Sequence, residues 1–182
     1  MRKLRLEELG RDSLDTFKGK EKIALNLVLN DIRSALNVGS IFRTADAFAV
    51  RRIYLCGITA RPPHKEINKT AIGATESVDW EYVEDIKHCI ESLKGEGSYI
   101  VGVEQTNEST LLNAFEYNNE FSSLTLVLGN EVQGIDDMLL PMLDEAIEIP
   151  QFGTKHSLNV SVCAGIVVWE CSKHLRKAKN HL

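Results

Sequence analysis

Apolar residues in this chain fall into short, nearly continuous runs separated by stretches of helical spacing. "KIALNLVLNDI" (22–32), "RRIYLCG" (51–57), "WEYV" (80–83), "YIVGVEQ" (99–105), "LTLVLGN" (124–130) and "EAIEIP" (145–150) have the length and β-branched content of buried strands. Between them, "SALNVGSIFRTADAFAV" (34–50) sets Ile41, Ala45 and Phe48 on one helical face. Residues 85–97 and the shorter 136–143 also read as helices, and 106–123 as a polar connection. Residues 2–17 predict a short amphipathic helix carrying Leu4, Leu6, Leu9 and Leu14 among charges. Strand–helix alternation with apolar strands predicts an α/β fold, a mostly parallel sheet covered by helices on both faces. No internal repeat or low-complexity segment interrupts a single domain over 1–182, with a helical extension at 1–20 and a basic tail at 173–182.

Two segments depart from this regularity. Residues 58–78 hold Pro62 and Pro63, which exclude helix there, and Arg61, His64, Lys65 and Lys69 make the segment a basic loop. Residues 158–178 open with alternating "LNVSV" but are too long for a strand, so they predict a helix with Ser157 as its N-cap. The first turns of that helix are apolar nearly all round and demand cover on several sides. "KHLRKAK" (173–179) adds cations at its C-terminus, where the helix dipole favours them.

Composition narrows the function classes. The chain is 182 residues long, 43% hydrophobic and 26% charged, as expected of an ordinary globular domain. No apolar run reaches the roughly 18 residues of a membrane span, and the N-terminus lacks a signal peptide's apolar core, so a cytoplasmic protein is expected. Cys56, Cys89, Cys163 and Cys171 have neither CxxC spacing nor histidines at ligand intervals, which predicts reduced thiols without a metal and without a catalytic role. The net charge of −5 argues against a nucleic-acid partner until its distribution is considered. Residues 71–154 carry 2 Lys/Arg against 17 Asp/Glu, and the rest of the chain carries 19 against 9. Local field, not net charge, attracts phosphate, so the basic part can still face RNA.

Ligands of parallel α/β folds gather at the carboxyl ends of the strands. Here those ends read "LNDIRSALNVG", "VEQTN", "LGNEVQG" and "IPQFGTKHSLN", which concentrate the unusual polar and glycine residues. Three stretches there, "NVGSIFRTADAFAV" (37–50), "LVLGNEVQGID" (126–136) and "IPQFGTKHSLNVSV" (149–162), resemble the three motifs of the SpoU (TrmH) branch of the SPOUT RNA methyltransferases. They occur in the family's order and spacing, and the likeness runs over residues 23–172. Two departures are small: Gln151 stands where many relatives have methionine, and "FAV" replaces the commoner "FGV" at 48–50.

The resemblance implies transfer of a methyl group from S-adenosylmethionine to a ribose 2′-hydroxyl of RNA. A sulfonium makes its methyl electrophilic without a metal. The hydroxyl is the difficult partner, so the site must favour a developing alkoxide. Arg43 matches the family's catalytic arginine. A guanidinium resists deprotonation, so stabilising phosphate and alkoxide suits it better than the general-base role. The resemblance gives Asn37, Glu131, Ser157 and Asn159 places beside it; Asn37 on bare sequence is an early-turn helix residue. It assigns the cofactor to Glu104, Gln105, Leu128, Gly129, Ile149, Gln151 and Leu158. Gly129 would admit close backbone approach, and Ser161 is left to packing. It also implies a C-terminal trefoil knot, which periodicity cannot show, and a homodimer in which Arg43 of one subunit serves the other's cofactor.

The segment 59–80 looks most like the tRNA guanosine-18 2′-O-methyltransferases, and a separate N-terminal RNA-recognition domain of the ribosomal type is not expected. Expected RNA contacts are Arg11, Arg61, Lys65 and Lys69. A ribosomal RNA substrate remains an alternative. So do a non-catalytic RNA-binding module of the same fold and a Rossmann-like enzyme for a small nucleotide. The intact Arg43, Glu131, Ser157 and Asn159 count against the module, and the basic loop goes unexplained by the small-nucleotide enzyme.

Overall fold

The structure, a computed structural model, describes residues 1–117 and 120–179. Residues 180–182 of the expected basic tail lie outside them. The chain runs from helix α1 (Leu14–Gly19) into strand β1 (Ile23–Asn30), then α2 (Ala35–Ala47) and β2 (Val50–Cys56). Helices α3 (Lys65–Ala71) and α4 (Ala74–Ser77) lead to β3 (Trp80–Val83), followed by α5 (Ile86–Gly95) and β4 (Ser98–Val103). Strands β5 (Thr110–Leu111), β6 (Ser123–Leu128) and β7 (Glu145–Glu148) precede the final helix α6 (Val160–Lys179).

The seven strands form one sheet in the order β3-β2-β1-β6-β4-β7-β5, and every neighbouring pair is parallel. Side chains alternate across it. Leu25, Leu27 and Leu29 of β1 point to the layer that holds α2, α3, α4 and α6. Val28, on the opposite face, joins Ile100 and Val127 against Cys89, Ile90 and Leu93 of α5. Helices thus cover both faces, which is why the strands read as continuous apolar runs.

Four local expectations give way. The leucines of residues 2–17 do not form one helix. Gly10, left-handed at φ 58°, ends a 3-10 turn over Leu6–Leu9, and Ser13 caps a separate α1 through Thr16 N. Pro62 and Pro63 exclude helix only where they stand. Immediately after them His64 caps α3, its Nδ1 accepting from Glu66 N at 3.2 Å, so Lys65 and Lys69 ride on a helix rather than a loop. The helix expected at 136–143 shrinks to turns and a 3-10 turn at Leu140–Met142, with Pro141 inside it. The polar connection before β6 contributes the short edge strand β5, which pairs with β7. Among the described residues, no helix is long and apolar enough to cross a membrane.

Helix α2 is the hub of the first layer. Ser34 caps it through Asn37 N at 3.3 Å, and Ala35, Val38, Gly39, Ile41, Phe42 and Ala45 bury its inner side. Gly39 permits α3 to lie against α2: a Cβ there would overlap Thr70 Oγ1 and the Ile67 carbonyl oxygen. Thr70 Oγ1 in turn donates to Leu36 O at 3.0 Å, tying the two helices together. Gly39→Ala should therefore lower stability by about 1–3 kcal/mol, the usual range for overpacking, read as a lower urea midpoint at unchanged slope.

Candidate active site

The sheet order brings the polar strand ends together. The C-terminal ends of β1, β6, β4 and β7 lie side by side, on the side of the sheet where the strand order reverses. A cavity of about 490 Å³ opens there. Its lining includes Glu104 and Gln105 after β4, Leu128, Gly129 and Glu131 after β6, and Ile149, Gln151, Ser157, Leu158 and Asn159 after β7. These are all the cofactor positions expected from sequence and three of the five expected catalytic ones.

Hydrogen bonds explain how three distant segments are held in register. Glu131 Oε1 accepts from Asn37 Nδ2 at 3.0 Å and from Ser34 N at 3.4 Å. Asn37 Oδ1 accepts from Asn159 Nδ2 at 3.2 Å. Asn159 Oδ1 accepts from Ser161 N at 2.9 Å and Val162 N at 3.4 Å, which makes Asn159 the N-cap of α6. The cap is therefore two residues beyond the expected Ser157, and the helix starts at Val160. A cap needs its side-chain oxygen over the first backbone N–H groups, and Asn159 occupies that place. Ser157, exposed at the cavity's edge, is left free of that duty. Ser161, left to packing, instead donates from Oγ to Asn159 Oδ1 at 2.6 Å.

The walls are built from backbone. After β6 the chain makes a tight loop, Asn130 and Gly134 exchanging N–H···O bonds of 3.1 and 3.0 Å. Asn130 Oδ1 accepts from Val132 N and Gln133 N, an Asx-type turn that the sequence reading missed and that the N-E-V-Q-G order could have signalled. Gly129 sits under this loop, and a Cβ there would overlap the backbone of Gly134 and Ile135. Glu104 braces the same loop: Oε2 accepts from Ile135 N at 2.9 Å and Oε1 from Gln105 N at 2.8 Å. Gln105 Nε2 reaches the His156 carbonyl at 3.2 Å, fastening the 151–159 segment to the end of β4. His156 and Cys163 also line the cavity, and neither was expected. Burial pushes the Cys163 thiol up to about 11 and Cys171 up to about 12, so both are neutral at ordinary pH.

Arg43 stands apart. It lies six residues beyond Asn37 on α2, about 9 Å along the axis and on another side of the helix. There it is exposed and, with Ser40, Thr44, Lys69 and Thr70, lines a shallow second cleft. Of the other basic residues, Arg11 and Lys65 are exposed, and the Arg61 guanidinium lies 4.0 Å from the centre of the Tyr82 ring. Among the described residues no group of three His, Cys, Asp or Glu could hold a metal.

Residues 24–169 match the profile of the SpoU rRNA methylase family. The chain belongs to that family. Within it, the chain is 32% identical over 166 residues to the 23S rRNA (guanosine-2′-O-)-methyltransferase RlmB of Neisseria meningitidis serogroup B, covering 91% of this chain and 64% of that protein. The fold is similar to the A. aeolicus TrmH/SpoU tRNA modifying enzyme, with TM-score 0.80, 26% identity, and coverage of 91% of this chain and 82% of that one. It is also similar to an AdoMet-bound rRNA methyltransferase from Sinorhizobium meliloti, with TM-score 0.78, 25% identity, and coverage of 87% and 60%. The seven-stranded parallel sheet is thus the SPOUT-type α/β fold of this family.

Two predictions follow from this geometry. Asn159→Ala should cost about 1 kcal/mol or more in urea unfolding through loss of the cap, and Asn159→Asp should recover only part of it, because aspartate caps as well as asparagine but cannot donate to Asn37 Oδ1. The cysteines set an alkaline limit. Their thiols are neutral in the fold but ionise from about pH 9 once unfolded. Their contribution is complete below that pH and is lost as pH rises through 11 to 12. Melting temperature should fall above pH 9, and less steeply in a Cys163→Ala/Cys171→Ala variant.

Proposed function

We propose that the protein transfers a methyl group from S-adenosylmethionine to a ribose 2′-hydroxyl of RNA. The observation that carries this reading is the tying of the first motif to the two that line the cavity, through the Glu131–Asn37–Asn159 bonds. The cavity suits the cofactor. Its volume falls in the range of about 300–1,000 Å³ usual for small-molecule sites. Its lining mixes apolar Leu128, Ile149 and Leu158 with polar Gln105, Gln151 and Ser157. Gly129 lets the 130–134 loop close over the end of β6 and form one wall. When bound there, the cofactor supplies an electrophilic methyl on a sulfonium.

This chain's residues do the rest. Leu128, Ile149 and Leu158 enclose the nucleoside, while Glu104 and Gln105 hold the surrounding loops. Glu131 and Asn37 fix the start of α2 against the cavity, and Ser157 and Asn159 face the target ribose. Arg43 is needed where the alkoxide develops, yet within one chain it does not reach the cavity lining. A second copy resolves this. Val162, Ile166 and Trp169 leave one side of α6 exposed, with Trp169 54% accessible, and the Trp169 ring meets Phe48, just after α2, at 5.7 Å. A homodimer joined across this face would cover those side chains and allow Arg43 to serve the partner's cavity. There it neutralises phosphate and the developing oxyanion.

Transfer RNA is the favoured substrate, with a D-loop guanosine of the position-18 type as target, and Arg11, Arg61, Lys65 and Lys69 on its phosphates. Supporting it, the fold is similar to the A. aeolicus tRNA modifying enzyme, and the segment at 59–80 carries Arg61, Lys65 and Lys69. The identity to the Neisseria rRNA enzyme keeps ribosomal RNA as the second reading.

The test is incubation with labelled S-adenosylmethionine and undermodified tRNA or ribosomal RNA, followed by mapping of the label. Label on a tRNA ribose is expected; no RNA-dependent transfer would sink the proposal. Arg43→Ala should lower turnover by about 100-fold or more while leaving cofactor affinity near wild type. Mixed and reassociated with Glu131→Ala, it should regain about a quarter of wild-type activity, since half the dimers then hold one complete site.

A further inference from the structure

Phe152 has no part in the fold or in the cavity. It is 98% exposed, the most accessible large apolar side chain described after Met1. A phenylalanine contributes to stability by burying its ring, and this one buries nothing, so folding does not explain it. Its position is specific nonetheless. Gln151 before it and His156 to Asn159 after it line the cavity, so residue 152 belongs to the segment that borders the proposed methyl-transfer site. Space beside it is open, since a Cβ on Gly153 would meet nothing within 4 Å.

The chemistry around the ring separates two occupants. The outer side of α6 is a run of apolar groups, Val162, Ile166 and Trp169, as a protein partner would require. Phe152 instead sits among Gln151, Gly153, Thr154 and Lys155. From residue 149 through 169 the chain carries no Asp or Glu, although the preceding residues 71–148 are strongly acidic. An exposed ring three residues from a lysine, in a stretch without acidic residues, matches what an unpaired nucleotide needs: a flat face for the base and a positive charge for its phosphate.

We infer that Phe152 is a stacking platform for an unpaired base of the RNA, next to the ribose that receives the methyl, with Lys155 on the adjoining phosphate. This rests on the RNA methyltransferase reading and deepens it: the substrate must offer a splayed, single-stranded nucleotide rather than a continuous duplex.

The experiment compares wild type with Phe152→Leu, which keeps an apolar side chain without a ring, and Phe152→Trp, which keeps a ring. It measures KM for RNA in the methyl-transfer assay, S-adenosylmethionine affinity by calorimetry, and sedimentation. Phe152→Leu should raise KM for RNA by about fivefold or more, with cofactor affinity and sedimentation unchanged. Phe152→Trp should stay within about twofold of wild type, and its added emission should be quenched by RNA. An unchanged KM in Phe152→Leu overturns the inference. A shift in sedimentation overturns it in favour of a protein contact, and a loss of cofactor affinity in favour of a cavity role. A wild type that methylates no RNA overturns the functional reading itself, and this inference with it.

Discussion

The site depends on the side-chain amide of Asn37. Its nitrogen donates to Glu131 and its oxygen accepts from Asn159, partners 94 and 122 residues away. A single amide therefore holds the start of α2, the loop after β6 and the first turn of α6 in fixed relation. A carboxylate accepting from an amide is stronger than a neutral pair. Asn159 spends its other end on capping α6, so the orientation of the longest helix and the alignment of the cavity rest on the same side chain.

Around this link the cavity is shaped by main chain more than by side chains. Gly129 lets the 130–134 loop close over the end of β6, and Glu104 holds that loop through Ile135 N. A pocket formed in this way is pre-organised, because its walls are tied to strands in the middle of a parallel sheet. The 151–158 segment is tied to this frame through Gln105 to the His156 carbonyl and through Asn159 at its far end. Phe152 and Ser157, both exposed, lie on that segment.

The separation of Arg43 from the cavity has a geometric cause. Asn37 and Arg43 share a helix but are six residues apart, which turns their side chains to different sides. A helix that commits Asn37 to the intramolecular link cannot also aim Arg43 into the same pocket. The proposed dimer turns this constraint to use, because the face carrying Arg43 is free to meet a second molecule. The exposed row along α6, expected from a helix whose first turns are apolar nearly all round, lies next to it through the Phe48–Trp169 contact.

Local pattern was enough to fix the strand–helix alternation, the parallel sheet and the two covered faces, because continuous apolar strands are stable only when buried on both sides. The strand ends that form the site were also legible, since polar and glycine residues are conspicuous after apolar runs. Other features lay beyond local pattern. Ser157 and Asn159 are equally good caps on paper, and Asn159 takes the role because its nitrogen is simultaneously fixed by Asn37. Pro62 and Pro63 hid helix α3, whose place depends on packing against Gly39. Whether the leucines near the N-terminus made one helix or two elements was settled by Gly10 and Ser13. Sequence by itself determined which segments are buried and which ends are polar, for burial follows composition and period. Tertiary structure alone decided which polar groups meet, because a hydrogen bond between residues 122 positions apart leaves no trace in local periodicity.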